Sequence, residues 1–243
     1  MTVHDMQFIN SEVAHVWRDV RWVESVGSTN ALLLATGKPG DVLIADEQTA
    51  GRGRMGRTWV TPKGSQLCFS ALISIDEVER AGLIPLAAGL AVTDVVPDAN
   101  LKWPNDVLLG GKKLAGILTE AELNTPQPRV VVGVGLNVAW RREDLPVDTA
   151  TSLNLEGRDV EWDRFAADTL LALGERMRQW RDNDPQLLGD YRASCVTIGQ
   201  LVRLQRPNGD VAGVVDGVTE TGEVIIDGVA FSAGDVTHLR PTR

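Results

Sequence analysis

The chain has 243 residues and a net charge of −9. That leaves room for one large domain, or a large one with a small appendage, and the acidic balance argues against broad nucleic-acid binding, which leaves a basic footprint. The apolar share of 43% is ordinary for a soluble globular protein, no apolar run reaches the length of a membrane span, and MTVHDMQFIN lacks the pattern of a secretory signal.

Residues 1–20 are weakly patterned. GSTNALLLATG then reads as a short capped helix, with Ser28 or Thr29 as N-cap and Gly37 as stop. DVLIADEQT is an apolar strand that turns polar at its end, and SQLCFSALISI alternates as a strand does. GLIPLAAGLAVTDVV is an apolar helix with Pro85 near its first turn. LKWPND is a short strand stopped by Pro104. GKKLAGILTEAEL and PRVVVGVGLNVAW read as neighbouring strands, the second so apolar that it belongs at the centre of a sheet. EWDRFAADTLLALGERMRQWRDN places Trp162, Phe165, Thr169, Leu170, Leu173, Met177 and Trp180 on one helical stripe, and DPQLLGDYRAS is a second, shorter helix. From about residue 196 to Arg240, short alternating runs cut by NG, DG, TG and AG predict hairpins closing into a small β-barrel. The fold class is therefore α/β followed by an all-β module, with a boundary between 1–195 and 196–243. Cys68 and Cys195 sit among apolar neighbours and read as reduced, buried thiols of a cytoplasmic protein. His4, His15 and His238 are too scattered for a zinc site.

GRGRMGRTW, residues 51–59, carries the first chemical signal. It contains G-x-G-x-x-G after a strand, and Asp76 lies 20 residues past Gly56, where a ribose-binding acid could sit. A dinucleotide fingerprint, however, needs its third glycine to open a helix. The adjoining RTWVTPKGS cannot start one, and no P-loop motif is present. What remains is a flexible glycine-rich loop with Arg52, Arg54 and Arg57, whose guanidinium forks suit phosphate and carboxylate. Such a loop is expected to be a lid, held open by like-charge repulsion and ordered by a bound anion.

Other short motifs each have an ordinary structural reading alone: an N-cap for GSTN, a turn for KWPND, a solvated strand lysine for GKKLAG, tight sheet packing for GVGLN. Taken in order, GSTN, EQTAGRGRMGRTW, LKWPNDV, KLAGILTE and GVGLNV resemble the biotin protein ligases from about residue 24 to the C-terminus. The resemblance implies a mixed-sheet α/β domain akin to class II synthetases and lipoyl ligases, then an SH3-like barrel. It implies activation of biotin by ATP as biotinyl-5′-AMP with Mg²⁺, then transfer to a lysine of the biotin carboxyl carrier domain of an acyl-CoA or pyruvate carboxylase. DNA and membranes are not expected partners; a second copy of the chain, as a homodimer, is a candidate one.

By the same resemblance, Ser28, Thr29, Asn30, Gln48 and Gly116 surround biotin. Arg52, Gly53 and Arg54 fold over biotin and phosphate, and Lys113 stands at the reacting carboxylate. Arg57, Trp59, Asn105 and Asn137 join Arg54 at the adenylate, with Asn137 a candidate reader of the base edge. Asp106 is a candidate for Mg²⁺ ligation or for steering the acceptor amine, and Lys112 points to the other strand face from Lys113. Two departures stand out. Many bacterial members read G-R-G-R-R-G-R, so Met55 leaves this loop one charge short. Only about 26 residues precede GSTN, which fits the ligase-only form rather than the form with a DNA-binding domain. A lipoate ligase is the nearest rival and a biotin- or nucleotide-binding module without transfer the next; GRGRMGRTW with KWPND and KLAGI favours biotin.

Overall fold

The computed structural model describes residues 4–239; Met1–Val3 and the chain from Arg240 onward lie outside the described residues. Seven strands form the larger sheet: β1 (Asp19–Val26), β2 (Asp41–Gln48), β3 (Gln66–Ser74), β4 (Asn100–Lys102), β5 (Asp106–Leu109), β6 (Lys112–Glu122) and β7 (Arg129–Asn137). Their order is β1-β2-β3-β7-β6-β5-β4, which puts the apolar β7 at the centre, as its composition predicts. Only β1 and β2 run parallel. A parallel pair needs a crossover, and it is supplied by α2 (Thr29–Thr36), which Ser28 caps by accepting from the Ala31 N–H and Gly37 ends.

The two faces of this sheet are used differently. Alternate residues of β2, β3 and β7, among them Ile44, Phe69 and Val132, join the main core beneath α3 (Ile84–Val95) and α4 (Trp162–Arg181). Leu43, Leu72 and Val131 turn the other way and pack on Leu33 of α2. The short α2 covers only part of that face, and the uncovered part becomes the site. The stripe predicted on α4 is buried from Phe165 to Trp180, with Trp162 partly buried. Arg176 on α4 joins Asp94 of α3 in a bidentate pair at 2.8 and 2.7 Å and reaches Asp190 of α5 (Pro185–Ser194) at 2.6 Å. That tie satisfies the charge of a buried guanidinium.

The weakly patterned N-terminal stretch is more ordered than its periodicity predicts: α1 (Met6–Val13) precedes β1. Long-range bonds decide this. The Asn10 amide donates to Val20 O and accepts from Val20 N, while His4 stacks on Trp162 at 3.7 Å and bonds Asp46 at 3.1 Å.

The C-terminal hairpins form a five-stranded antiparallel sheet, ordered β11-β10-β9-β8-β12, from β8 (Leu201–Gln205), β9 (Val211–Val218), β10 (Val224–Ile226), β11 (Val229–Phe231) and β12 (Asp235–His238). Its apolar residues continue the main core rather than forming one apart. Gly222 marks the junction. It has φ 91°, a Cβ there would meet the backbone of Gly82, and its carbonyl accepts from the Trp103 indole at 3.0 Å.

His238 on β12 gives a pH test. Burial, then the nearby Lys102 charge, holds its imidazole below the ordinary 6.5. The folded chain thus binds fewer protons than the unfolded chain once pH falls below that ordinary value, so stability should decline there. Thermal melts between pH 7.5 and 5 should show a steeper acid loss in the parent than in His238→Gln; parallel curves would remove His238 from the account.

Candidate functional site

A cavity of about 250 Å³ opens on the face of the larger sheet that α2 leaves uncovered. Its floor is built from alternate residues of three strands: Gln66 and Cys68 on β3, Gly133, Gly135 and Asn137 on β7, Gly116 and Leu118 on β6. One wall is polar. Gln48 Oε1 accepts from the Thr29 N–H at 2.9 Å and hydroxyl at 3.0 Å, and Ser70 Oγ stands 2.7 Å from Thr29 Oγ1 and 2.6 Å from Asn30 Oδ1. The Asn30 amide donates to Leu118 O at 3.1 Å and to Glu120 at 2.8 Å. This network holds short donors and acceptors in fixed directions around one end of the cavity, as recognition of a small polar ring requires.

The other end is cationic. Lys113 pairs with Asp106 at 2.5 Å and stands 5.3 Å from the Trp59 ring. Its backbone is pinned through Lys113 N to Thr149 O and Thr151 N to Lys113 O. Arg52 pairs with Glu120 at 3.2 Å, Arg57 with Asp235 at 2.5 Å, and Arg54 approaches Asn105 Oδ1 at 3.3 Å and Asp235 at 3.7 Å. Burial holds the Arg54 guanidinium below the usual arginine range, against the opposing pull of Asp235. Each of these cations rests beside a carboxylate of its own chain, an arrangement that an incoming anion can exchange into.

The loop carrying these arginines is a small hairpin. Arg52 bridges Thr58, Gly53 N donates to Arg57 O, and Trp59 N donates to Gly51 O. Met55 has φ 55° and Gly56 φ 74°, so the chain reverses there, and only a three-residue 3-10 turn forms at Arg54–Gly56. No helix opens at Gly56 or over residues 57–65, which disposes of the dinucleotide reading. Trp59 lies over Gly135 and Gly116, and a Cβ on Gly116 would come within 2.9 Å of its ring.

Of the residues singled out from sequence, Ser28, Thr29, Asn30, Gln48, Arg52, Gly53, Arg54, Arg57, Trp59, Asn105, Lys113, Gly116 and Asn137 line this one cavity, and Asp106 reaches it through Lys113. Lys112 is not among the lining residues, in keeping with its opposite strand face. Asn137 also braces its neighbours. Its Oδ1 accepts from Gln66 Nε2 at 3.0 Å and its Nδ2 donates to Thr151 O at 2.8 Å, so the amide braces Gln66, which in turn accepts from the Trp59 indole at 3.0 Å. Asp106 opens β5 rather than ending β4, and Asn105 seals the neighbouring edge by bonding both backbone groups of Ile117. Ser70, Gln66 and Asp235 carry roles that no sequence motif announced, and Glu120, the last residue of KLAGILTE, is given no role by that motif. The first two are legible in retrospect as polar alternates of an otherwise apolar strand, whereas Asp235 carries no local signal. Cys68 faces the cavity with its thiol pushed up to about 12, chiefly by burial, so it is a wall and not a nucleophile.

Known proteins resemble this chain in sequence and fold. A sequence model of the biotin/lipoate A/B protein ligase family matches residues 22–137. A biotin–[acetyl-CoA-carboxylase] ligase of Mycobacterium tuberculosis is 44% identical, covering 92% of this chain and 90% of its own. The chain belongs to the biotin protein ligase family. A bifunctional ligase/repressor of Bacillus subtilis is 31% identical over 77% of this chain, which spans 62% of that longer relative. The biotin protein ligase of Aquifex aeolicus, solved in complex with biotin and ATP, superposes with a TM-score of 0.79 at 28% identity, covering 92% of this chain and all of that one. The α/β class with an appended antiparallel sheet is thus the biotin protein ligase fold. Among the described residues no helix is long and apolar enough to cross a membrane.

Proposed function

We propose that this protein activates biotin with ATP and transfers it to a lysine of a biotin carboxyl carrier domain. The observation that carries the reading is one cavity with a polar cradle at one end, made by Thr29, Asn30 and Gln48 with Ser70 bonded behind them, and a cationic rim at the other, made by Arg52, Arg54 and Lys113. In the first step a carboxylate oxygen of biotin attacks the α-phosphorus of ATP, the bond to the β-phosphate breaks, and pyrophosphate leaves. The carboxylate is already ionised at neutral pH, so the step needs no general base; it needs fixed positive charge where two anions meet, which Lys113 and Arg54 supply. In the second step a lysine amine attacks the acyl carbon, AMP departs, and the ammonium proton passes to solvent or to a nearby carboxylate such as Asp106.

Mg²⁺ fits this site as a companion of ATP. Among the described residues no three potential ligands cluster, and Mg²⁺ commonly takes one or two carboxylates with substrate phosphates. Asp106, released from Lys113, would be the carboxylate that holds it. Residues 1–195 form the biotin- and ATP-binding part and 196–243 the SH3-like part, the acceptor belongs to an acetyl-CoA or pyruvate carboxylase, and the enzyme acts in the cytoplasm, with a homodimer as its candidate assembly.

Two measurements test the reading. Radiolabelled pyrophosphate should exchange into ATP only when biotin is present, and a carrier domain with MgATP and biotin should gain one biotin mass. Lipoate-dependent exchange would point to the rival cofactor. Biotin binding without exchange would leave only a binding module.

A further inference from the structure

We propose that Asp235, the first residue of β12, is a positioning residue that tethers the arginine loop through Arg57 and thereby leaves Arg54 for the ligand. The tether rests on the ligase reading for its purpose but on geometry for its existence. Asp235 Oδ2 lies 2.5 Å from Arg57 Nη2, whereas its Oδ1 lies 3.7 Å from Arg54 Nη1. One carboxylate therefore serves two arginines unequally.

Arg57 is also the residue that closes the loop on itself. Its Nε donates to Arg54 O at 3.1 Å, its N–H to the same oxygen at 3.2 Å, and its carbonyl accepts from Gly53 N at 2.7 Å. Fixing Arg57 fixes the hairpin. Asp235 is held in turn by a strand paired with β8, where it stands opposite Gln205. A glycine-rich loop of the larger sheet thus takes its position from a rigid element of the C-terminal sheet, which lines none of the cavity itself.

Arg54 is left in the opposite condition. It is the more buried of the two, with 22% side-chain exposure against 60% for Arg57, yet its contacts are long: 3.3 Å to Asn105 and 3.7 Å to Asp235. A desolvated guanidinium with unfilled donors gains most from an anion. The two arginines also repel, and the Asp235 charge offsets that repulsion. Arg57–Asp235 is a partly exposed pair with its arginine largely in solvent, and such pairs contribute little to global stability, so its loss should appear in the loop and not in unfolding.

Asp235→Asn should raise trypsin cleavage of the ligand-free chain at Arg52 and Arg54 by about five- to tenfold with an unchanged melting temperature. In biotin-dependent exchange it should raise the KM for ATP by about tenfold and leave kcat within a few-fold. Asp235→Glu should restore both readouts. Arg57→Gln should copy the rise in cleavage at Arg52 and Arg54, and the double variant should be cleaved no faster than either single one. Parent-like cleavage in Asp235→Asn, additive effects in the double variant, or a lowered melting temperature that Glu does not restore would each overturn the tether. Complete lack of biotin-dependent exchange in the parent would instead sink the ligase reading, while the cleavage comparison would still decide the tether.

Discussion

Replacing Lys113 with alanine is expected to slow adenylate formation by about 10²–10³, the usual cost of removing one preorganised group that meets developing charge. Its ammonium stands on the cavity rim, paired with Asp106 and close to the Trp59 ring. The backbone on both sides is bonded to Thr149 and Thr151, so the charge arrives at a fixed place. The protein should survive the change. Lys113 and Asp106 keep 31% and 22% side-chain exposure, so the widowed carboxylate retains water. Lys113→Arg should recover only part of the rate, because a planar fork does not occupy the place of a compact ammonium. Lys112→Ala, on the other strand face, serves as the control and should stay within about twofold. Single-turnover formation of the adenylate with a parallel melt separates these outcomes. A Lys113→Ala rate within a few-fold of the parent would mean that the arginines alone carry the charge stabilisation.

Gly133→Ala should damage biotin binding more than its size implies. A Cβ at Gly133 would run into Asn30 Oδ1, and Asn30 has nowhere to go. Its oxygen faces Ser70 and its nitrogen bonds Leu118 O and Glu120, all within a wall where Asn30 is 4% exposed. Displacing the amide breaks these bonds together and strands buried polar groups, at about 1–3 kcal/mol each. Loss of two such contacts to a ligand corresponds to roughly two orders of magnitude in affinity, and overpacking adds about 1–3 kcal/mol against the fold. Gly135→Ala is the informative comparison. Its Cβ would meet Trp59, which belongs to the arginine hairpin and can shift with it. Calorimetric titration with biotin should therefore show a large loss for Gly133→Ala and a smaller one for Gly135→Ala. Equal losses would mean that the cradle does not centre on Asn30.

The arginine hairpin bears on the expectation of a lid. Its cations are paired with Glu120 and Asp235, so like-charge repulsion alone does not hold it open. A lid closing on an anion would then work by exchange of partners, with the entropy of Gly51, Gly53 and Gly56 opposing closure.

Local chemistry was legible in the residues themselves. The N-cap at Ser28, the stop at Gly37, the apolar stripe of α4, the apolar run of β7 and the turn glycines of the last strands arise from hydrogen-bonding needs and side-chain periodicity within a few residues. The absence of a helix after Gly56 was equally local, since Pro62 and Gly64 lie just beyond it. The set of site motifs was also readable, because each short motif keeps its backbone role wherever it is placed. Partnership was not. Nothing near Asn137 in the chain indicates that its amide bonds Gln66 and Thr151, and nothing near Asp235 points to Arg57, 178 positions earlier. α1 is too short for its period to stand out, and α1 and β1 are fixed where Asn10, His4 and Trp22 find partners across the fold. Hydrogen bonds and ion pairs depend on distances of a few ångströms between groups far apart in sequence. Only the folded sheets, with α2 covering one face in part and β12 set beside the loop, bring those groups to such distances.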